Sequence, residues 1–389
     1  MKKHKLLILG TRGIPGSHGG FETFAQRLAL YLTQKGWRVT VYCQSHGDKL
    51  TYSVWQGVNL VHIPVPNDSS FWSILFDLKA ALHAVKQDGL ILTLGYNTAI
   101  FSLLYRLKNR VNMTNMDGME WWRKKWNALE KAWLYGNERC AVWFSNYLIA
   151  DHPHIRYYLR QQVKTPKPIA VIPYSTQPVV KAGKTLLNEY GLMPKNYALV
   201  IARAEPENSI LEIVSAFSKR KRNMPLVVLG KYQPESNPYH KQVLESASNE
   251  VMFVGGIYDP EVVAALRYYA SLYIHGHQVG GTNPSLIEAL AASSPVLAHN
   301  NPFNSWVAGE GASYFKDVAD CDRHFTELLN DDQKLQTMGK NSLARYYQEF
   351  ADDRDLKDHE ALFLSILEPP RKNRNSQEKE VKEKVESVV

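Results

Sequence analysis

The sequence predicts an α/β protein made of two halves, each a parallel sheet covered by helices. Two observations carry this prediction. Short apolar runs of strand length alternate with longer segments whose apolar residues recur at helical spacing. The alternation then restarts after IAVIPYSTQPV (169–179), which we interpret as the end of the first half and a crossing segment. A cleft between two such sheets, at the carboxyl ends of their strands, is a natural ligand site.

The first half begins with a strand, a glycine-rich loop and a helix. KLLILG (5–10) is a buried-strand run, TRGIPGSHGG (11–20) is the loop, and residues 21–35 have helical spacing that ends before Gly36. Further strands are predicted at 38–43, 58–63, 90–94, 111–115 and 147–150.

The second half repeats this order. A strand at 197–202 is followed by a loop at Arg203–Asn208 and a helix from Ile210. Residues 331–368 are predicted to be helical, and the charged tail from Pro369 to be disordered or loosely helical. Further strands are predicted at 226–230, 251–255, 271–276 and 294–299.

Composition limits the class of protein. The chain has 389 residues, 44% of them hydrophobic and 22% charged, which is typical of a globular protein of two or three domains. Cys43, Cys140 and Cys321 lie far apart and are odd in number, which predicts reduced thiols in a cytoplasmic protein. The net charge of +8 favours an anionic partner: nucleic acid, an anionic membrane surface or a phosphorylated substrate. No apolar window is long enough to span a membrane.

One stretch, HGHQVGGTNPSLIEAL (275–290), has the features of an anion site. Thr282 or Asn283 can cap the helix that follows, and Pro284 suits its first position. The first amides of a helix have no internal partners and carry positive potential, and bare glycine backbone lets another molecule approach closely. Phosphate is a common ligand at such a place. An ordinary glycine turn before a helix is the alternative, and the stretch alone does not decide between them.

The first glycine-rich loop does not have dinucleotide spacing. Arg12 stands where the second glycine of that fingerprint belongs, and the second strand ends in Cys43-Gln44 without an acid for a ribose. Gly19 and Gly20 nevertheless open a helix at the carboxyl end of a strand, where they could face a phosphate or a sugar. The alternative is a flexible loop.

Polar residues follow two other strands. Arg203 ends the first strand of the second half, where its guanidinium suits a diphosphate, although a surface salt bridge is the commoner fate of a lone arginine. Asp117 and Glu120 follow the strand at 111–115, where a carboxylate can orient an acceptor hydroxyl or accept its proton. Asp117 with Gly118 also has the composition of a simple turn.

Tryptophans mixed with basic residues in NMDGMEWWRKKW (115–126) fit either a membrane interface or a core beside a solvated basic face. His275, His277 and His299 form no recognised metal pattern, so no metal is predicted.

Together these motifs resemble the retaining glycosyltransferases of the large family-four type, which have the GT-B fold, and in particular their bacterial rhamnosyltransferase-like subgroup. The resemblance rests on TRGIPGSHGGFETFAQRL, DGMEWWRKKW, ARAEPEN and HGHQVGGTNPSLIEAL, and covers about residues 5–365. It implies two Rossmann-like domains facing a central cleft. Residues 1–180 would form the acceptor-side domain, 181–345 the nucleotide-sugar domain, 346–368 a helix returning to the first domain and 369–389 a charged tail.

The resemblance also implies roles for single residues. Glu288 matches the acid that binds the nucleotide ribose, and Arg203 matches the basic contact to the diphosphate. Asp117 lies where many relatives carry a catalytic histidine, so the implied catalytic set is Asp117, Arg203 and Glu288, and the acceptor side is Asp117, Glu120 and Arg123. Backbone donors to the diphosphate are implied at Gly281 and Thr282, and Gly19 and Gly20 match the glycine loop of the first domain near the donor phosphate.

Two positions depart from the family pattern. Gly280 stands where the family's first acid would be, and Asn208 replaces a lysine often found five residues after the arginine. Both still belong to the expected nucleotide-sugar site. The missing contacts are expected from Lys231, His275 and His277.

The function implied is metal-independent transfer of a sugar, rhamnose from dTDP-rhamnose, with the nucleotide sugar as substrate and no cofactor. The expected acceptor is a glycan or a lipid-diphosphate-linked glycan of a bacterial surface polysaccharide, at the inner face of the plasma membrane. The alternatives are a hexosyltransferase that uses a GDP- or UDP-sugar and a nucleotide-sugar-binding protein that has lost catalysis. A nucleic-acid partner is not expected, because no reading motif accompanies the charge.

Overall fold

The computed structural model describes residues 4–16, 19–123 and 125–368, and it confirms the α/β prediction with two separate sheets. The first sheet has the strand order β3-β4-β2-β1-β5-β6-β7-β8, and only β3 is antiparallel to its neighbour. Its strands are β1 (Lys5–Leu9), β2 (Arg38–Ser45), β3 (Thr51–Trp55), β4 (Val58–Pro64), β5 (Leu90–Leu94), β6 (Asn112–Asn115), β7 (Tyr147–Ala150) and β8 (Ile169–Val171).

Helices cover both faces of this sheet. In β1, Leu6 and Ile8 belong to one buried cluster while Leu7 and Leu9 belong to another. Successive side chains of a strand point to opposite faces, so a strand with helices on both sides must be apolar throughout, as the sequence KLLIL is. The helices are α1 (Gly20–Gln34), α2 (Ser70–Ala84), α3 (Ser102–Leu107), α4 (Ala128–Phe144) and α5 (Pro153–Gln161).

The second sheet is wholly parallel, in the order β11-β10-β9-β12-β13-β14. Its strands are β9 (Ala198–Ile201), β10 (Leu226–Leu229), β11 (Val251–Gly255), β12 (Leu272–His275), β13 (Val296–His299) and β14 (Ser313–Phe315). The remaining helices are α6 (Ile210–Ser218), α7 (Pro238–Glu245), α8 (Pro260–Tyr269), α9 (Pro284–Ala291), α10 (Pro302–Ala308), α11 (Val318–Leu328), α12 (Asp332–Glu349) and α13 (Arg354–Leu367).

The strands that the sequence did not predict are short or exposed. β3 is joined to β4 by Gln56 and Gly57, both with positive φ, which is the geometry of a tight hairpin turn. Four of the five residues of β3 are exposed, so it has no apolar run to detect. The helical stretch predicted at 331–368 is also interrupted, because Asp352 and Asp353 have φ of +62° and +51°.

The chain crosses between the halves twice. It leaves the first sheet after β8, and after α12 it returns, so that α13 packs against α1. Arg27 of α1 donates to Asp353 at 2.9 Å and to the buried Asp355 at 3.3 Å, and Trp37 Nε1 donates to Glu360 at 3.2 Å. None of the described helices is both long and apolar enough to cross a membrane. The predicted charged tail, 369–389, lies outside the described residues.

Candidate functional site

The loops at the carboxyl ends of the two sheets meet at three glycines. Gly118 follows β6, and a Cβ placed on it would lie 3.0 Å from Gly280 Cα and 3.4 Å from Gly281 N. These loops are far apart in the sequence, and only residues without side chains allow their backbones to approach so closely. The structure therefore places the Asp117 segment directly against the glycine pair that precedes α9.

The start of α9 differs from the expectation in one respect. Asn283 is the cap, since its Oδ1 accepts from Ser285 N at 3.0 Å, and Pro284 takes the first helical position. Thr282 is 2% exposed. Its amide donates to Asp151 Oδ2 at 3.0 Å, and its hydroxyl donates to the Asp151 carbonyl. The amide of Thr282, expected to face the donor diphosphate, is thus already paired with a carboxylate from the other half.

Asp117 lies in a left-handed backbone conformation, with φ +48°, immediately after β6. Burial, and after it the neighbouring charge of Glu120, raise its pKa to about 6 against the opposing effects of Gly118, Arg123 and Arg203. The carboxyl group is therefore mostly ionised at neutral pH. It can accept a hydrogen bond from a hydroxyl, and its pKa is close enough to neutrality for proton transfer.

The acceptor-side residues form a braced loop. Tyr96 OH accepts from Glu120 N at 2.8 Å and donates to Gly118 O at 3.1 Å, which fixes the backbone on both sides of Met119. Arg123 Nε donates to Glu120 at 2.7 Å, and its Nη1 lies 3.8 Å from Glu207 Oε1 of the second half. Arg123 therefore bridges the two sides of the cleft.

Arg203 is exposed at the end of β9, in the field of Asp117. Its carbonyl accepts from Asn208 Nδ2 at 2.8 Å, which closes the loop between β9 and α6. Asn208 is only 4% exposed, so the structure gives it a supporting position behind Arg203. Lys231 is exposed after β10, with its Nζ 5.1 Å from the centre of the Tyr258 ring.

His275 and His277, at the end of β12 and in the loop that leads to α9, stack in parallel with ring centres 4.3 Å apart. Burial lowers the pKa of His277 to about 3 and that of His275 well below its ordinary value, so both rings are neutral. Both nitrogens of His275 and Nδ1 of His277 have no hydrogen-bond partner within the described structure. Neutral imidazoles without partners can bind sugar hydroxyls.

Glu288 lies one turn inside α9 and forms an ion pair with Arg267 of α8, with 2.6 Å between Oε2 and Nη2. Arg267 is nearly buried and also donates to Ser285 Oγ at 3.0 Å, whereas the Glu288 side chain is 39% exposed. The carboxylate is thus held by Arg267 on its buried side and is open to solvent on the other, where a ribose could reach it.

Gly19 and Gly20 of the first glycine-rich loop are not hydrogen-bonded to the second half in the described structure. Gly19, with φ +114°, precedes α1 and its carbonyl accepts from Thr23 N at 3.2 Å, while a Cβ on Gly20 would meet no atom within 4 Å. Ser17 and His18 lie outside the described residues. No group of three or more His, Cys, Asp or Glu residues placed to hold a metal occurs among those that are described.

Two family comparisons match consecutive parts of the chain. Residues 3–177 match a family described as "Domain of unknown function (DUF1972)", and residues 186–345 match the family described as "Glycosyl transferases group 1". The second range contains Arg203, Lys231 and Glu288. No curated protein matches the chain in sequence.

Solved structures resemble nearly the whole chain. Sucrose-phosphate synthase from Thermosynechococcus elongatus is 17% identical, with a TM-score of 0.77 over 94% of this chain and 99% of its own. HepE from Anabaena in complex with UDP is 16% identical, with a TM-score of 0.71 over 93% and 100%. A glycosyltransferase from Rickettsia africae is 15% identical, with a TM-score of 0.71 over 95% and 100%.

The chain has the GT-B fold. The fold prediction is thereby confirmed, with two Rossmann-like sheets. The group 1 match over residues 186–345 supports a glycosyltransferase. The expected rhamnosyltransferase-like subgroup is not confirmed by these comparisons.

Three residues of this GT-B site were missed by the sequence reasoning. Asp151 follows the predicted strand at 147–150, so its place after a strand was a usable signal. Glu207 lies in the predicted Arg203–Asn208 loop but was not singled out. Arg267 gave no signal, because it is a single charge within the helical run PEVVAALRYY.

Proposed function

We propose that the protein is a retaining, metal-independent glycosyltransferase that moves rhamnose from dTDP-rhamnose to a glycan or lipid-linked glycan of a bacterial surface polysaccharide. The observation that carries the proposal is the close approach of Gly118, the neighbour of Asp117, to the glycine pair before α9, with Asp117 in the field of Arg203. An acid that can orient an acceptor thus lies beside a helix start and a guanidinium that suit a diphosphate.

On the donor side, the diphosphate would lie at the Gly280–Thr282 backbone with Arg203 opposite, and Glu288 would hold the ribose. Negative charge grows on the diphosphate as the bond to the sugar breaks, so fixed donors at that place lower the barrier. His275 and His277, both neutral and with unpartnered nitrogens, would bind hydroxyls of the sugar.

On the acceptor side, Asp117 would orient the attacking hydroxyl. The bond between the anomeric carbon and the phosphate oxygen breaks while the acceptor oxygen bonds to the same carbon from the same face. The acceptor proton goes to an oxygen of the departing phosphate. Glu120 and Arg123, braced by Tyr96, would shape the acceptor pocket.

Thermal unfolding in the presence of dTDP, UDP, GDP and NAD tests the site. A ligand at about 100 times its dissociation constant adds roughly 2.7 kcal/mol of stability, which shifts the midpoint measurably. We expect one nucleoside diphosphate to stabilise the protein and Glu288→Ala to lose the response. A response to NAD alone, or to none of the four, would contradict the proposal.

A hexosyltransferase that uses a UDP- or GDP-sugar is the second candidate. One observation favours UDP, because the similar structure of Anabaena HepE contains UDP, and another structure of it contains UDP and glucose. The nucleotide that stabilises the protein separates these donors. A protein that binds the nucleotide sugar without catalysis would stabilise equally but form no product.

We also propose that the protein acts at the inner face of the membrane. Leu129, Trp133 and Trp143 are exposed on α4 at helical spacing and form one apolar face. Trp122, from the preceding loop, is 49% exposed, whereas Trp121 is tied inward by a hydrogen bond to Glu138. Exposed aromatic side chains of this kind suit a membrane interface.

Sedimentation with vesicles containing phosphatidylserine tests the membrane contact. We expect Leu129→Ser with Trp133→Ser, and separately Lys124→Glu with Lys125→Glu, to reduce binding; Lys124 lies outside the described residues. Met193→Ser is the matched control, since Met193 is an exposed apolar residue of the second half. Equal sedimentation of all four proteins would remove the membrane contact.

A further inference from the structure

Asp151 joins the two halves at the point where the donor phosphate is expected. It follows β7 in the first sheet, and its Oδ2 accepts from Thr282 N at 3.0 Å while its carbonyl accepts from the Thr282 hydroxyl. The second partner stands 131 positions further along the chain. A carboxylate therefore caps the anion-binding end of α9, although it belongs to neither α9 nor its sheet.

The surrounding backbone is shaped around this carboxylate. A Cβ on Gly281 would lie 2.2 Å from Asp151 Oδ1 and 2.5 Å from Oδ2, so any other residue at 281 would collide with it. Gly281 is thus required for the contact that Asp151 makes. The space at the start of α9 is filled by an acid oxygen where a phosphate oxygen would otherwise fit.

The carboxylate is poorly compensated in this position. Asp151 is 2% exposed, and its Oδ1 has no hydrogen-bond partner in the described structure. No ion pair within 4.0 Å joins it to a cation of the described residues. Burial, and after it the charge of Asp117, raise the pKa of Asp151 to about 8, although the hydrogen bond from the Thr282 amide opposes the shift. The group is therefore mostly neutral at pH 7, and above about pH 8 it is a buried anion without a cation among the described residues, which costs free energy.

We propose that the Asp151 carboxyl group, neutral or ionised, is an internal competitor for the donor phosphate, and that the phosphate displaces it from the Thr282 amide at the start of α9. This inference rests on the proposed function, because it assumes that a nucleoside diphosphate binds there. The inference adds a residue that controls donor affinity. When the carboxyl group leaves, the Thr282 amide becomes free for the donor, while the Thr282 hydroxyl stays bonded to the main-chain carbonyl of Asp151.

The competition predicts a dependence on pH. Protonated Asp151 is neutral and repels a diphosphate less, so affinity should fall as the pH rises through about 8. The titratable groups that act on Asp151 are Asp117, from the loop after β6, and Tyr174, from the crossing segment. Asp117 is already ionised above pH 7, since its pKa is about 6, and Tyr174 stays neutral, since its pKa lies well above 10.

Titration calorimetry of the full chain with dTDP, UDP and GDP, from pH 7 to pH 9, tests the proposal. We expect Asp151→Asn to bind the preferred nucleotide ~10-fold more tightly at pH 9 and to lose the pH dependence. Asp77→Asn is the matched control, because Asp77 is also a buried acid whose pKa is raised to about 6, but it lies on α2 and pairs with Thr98.

Equal affinity and equal pH dependence in wild type and Asp151→Asn would overturn the inference while the proposed function stands. Failure of every nucleotide to bind either protein would overturn the proposed function, and the inference with it. Hydrogen exchange gives a readout without ligand. The Thr282 amide should be protected in the wild type, exposed in Asp151→Ala, and protected again when nucleotide is added; unchanged protection in Asp151→Ala would contradict the contact.

Discussion

Arg267 of α8 and Glu288 of α9 form an ion pair with 2.6 Å between Nη2 and Oε2. The arginine is nearly buried, whereas the glutamate is 39% exposed and open to a ligand. This asymmetry gives the two residues different expected roles. Glu288 would touch the ribose, and Arg267 would position it.

We expect Glu288→Gln to weaken nucleotide binding at least ~10-fold, because the amide keeps the size but loses a charged acceptor. Arg267→Met should also weaken binding, since Glu288 is no longer held, and should cost ~1–3 kcal/mol of unfolding free energy because hydrogen bonds to a buried charge are lost. Calorimetry and urea unfolding measure the two effects. If Arg267 serves only packing, Arg267→Met will change stability and leave affinity intact.

Asp117→Asn should lower turnover by ~100-fold or more while nucleotide binding remains. The pKa of Asp117 is raised to about 6, so wild-type activity should rise with pH through about 6 and then level off. Kinetics from pH 5 to pH 8 with a suitable acceptor measure this. Intact turnover in Asp117→Asn would show that the carboxylate has no part in the reaction.

The same substitution should change stability in a defined direction. The folded-state pKa of Asp117 lies above the ordinary value of 3.8, so the folded protein binds this proton more tightly than the unfolded chain. The stability that the proton contributes is present below about pH 4 and is lost as the pH rises through about 6. Asp117→Asn should therefore be more stable than the wild type at pH 7–8, by about 3 kcal/mol. Chemical unfolding at pH 4 and pH 7.5 separates the two proteins.

Gly281→Ala should destabilise the protein by ~1–3 kcal/mol, since the added methyl group would collide with the Asp151 carboxylate. The cost should shrink in an Asp151→Ala background, where the obstacle is gone. Gly136→Ala is the control, because a Cβ at Gly136 of α4 meets no atom within 4 Å and alanine favours a helix. A Gly281→Ala cost that is the same in both backgrounds would contradict the close contact.

Arg27→Met should cost ~3 kcal/mol or more, because it leaves the fully buried Asp355 without its cation. The effect should appear first in α13, whose amides should exchange faster with solvent. Arg323→Met is the comparison, since Arg323 is exposed and pairs only with surface acids of its own helix, and it should change stability little. An equal effect of both substitutions would mean that Arg27 does not anchor α13.

The sequence predicted the elements whose neighbours cover both faces. β1 is apolar at Leu6, Leu7, Ile8 and Leu9 because helices bury each face, and such a run can be read without knowing the partner. β3 could not be found in this way. It is an edge strand whose side chains are mostly exposed, so its place depends on pairing with β4 and leaves no apolar signature.

The candidate site likewise contains some residues with a local sequence signal and others whose contacts depend on the tertiary structure. Gly280, Gly281 and Arg203 were predicted because each has a local signal, namely bare backbone before a helix or a charge after a strand. The pairing of Asp151 with Thr282 has none, since it depends on how the two sheets face each other. Arg267 was missed for a related reason. A buried arginine within a helix becomes a candidate site residue only when its ion pair with Glu288 is known.

The two crossings of the chain lie side by side and are bonded to each other. Thr176 N donates to Phe350 O at 3.4 Å, and Tyr346 OH donates to Thr176 O at 2.8 Å. Two adjacent tethers resist torsion of one half against the other far more than a single tether would, yet they leave bending about their common line free. We therefore expect the cleft to open by a hinge motion about a single axis. Asp117 would then return to the same place against α9 after every turnover.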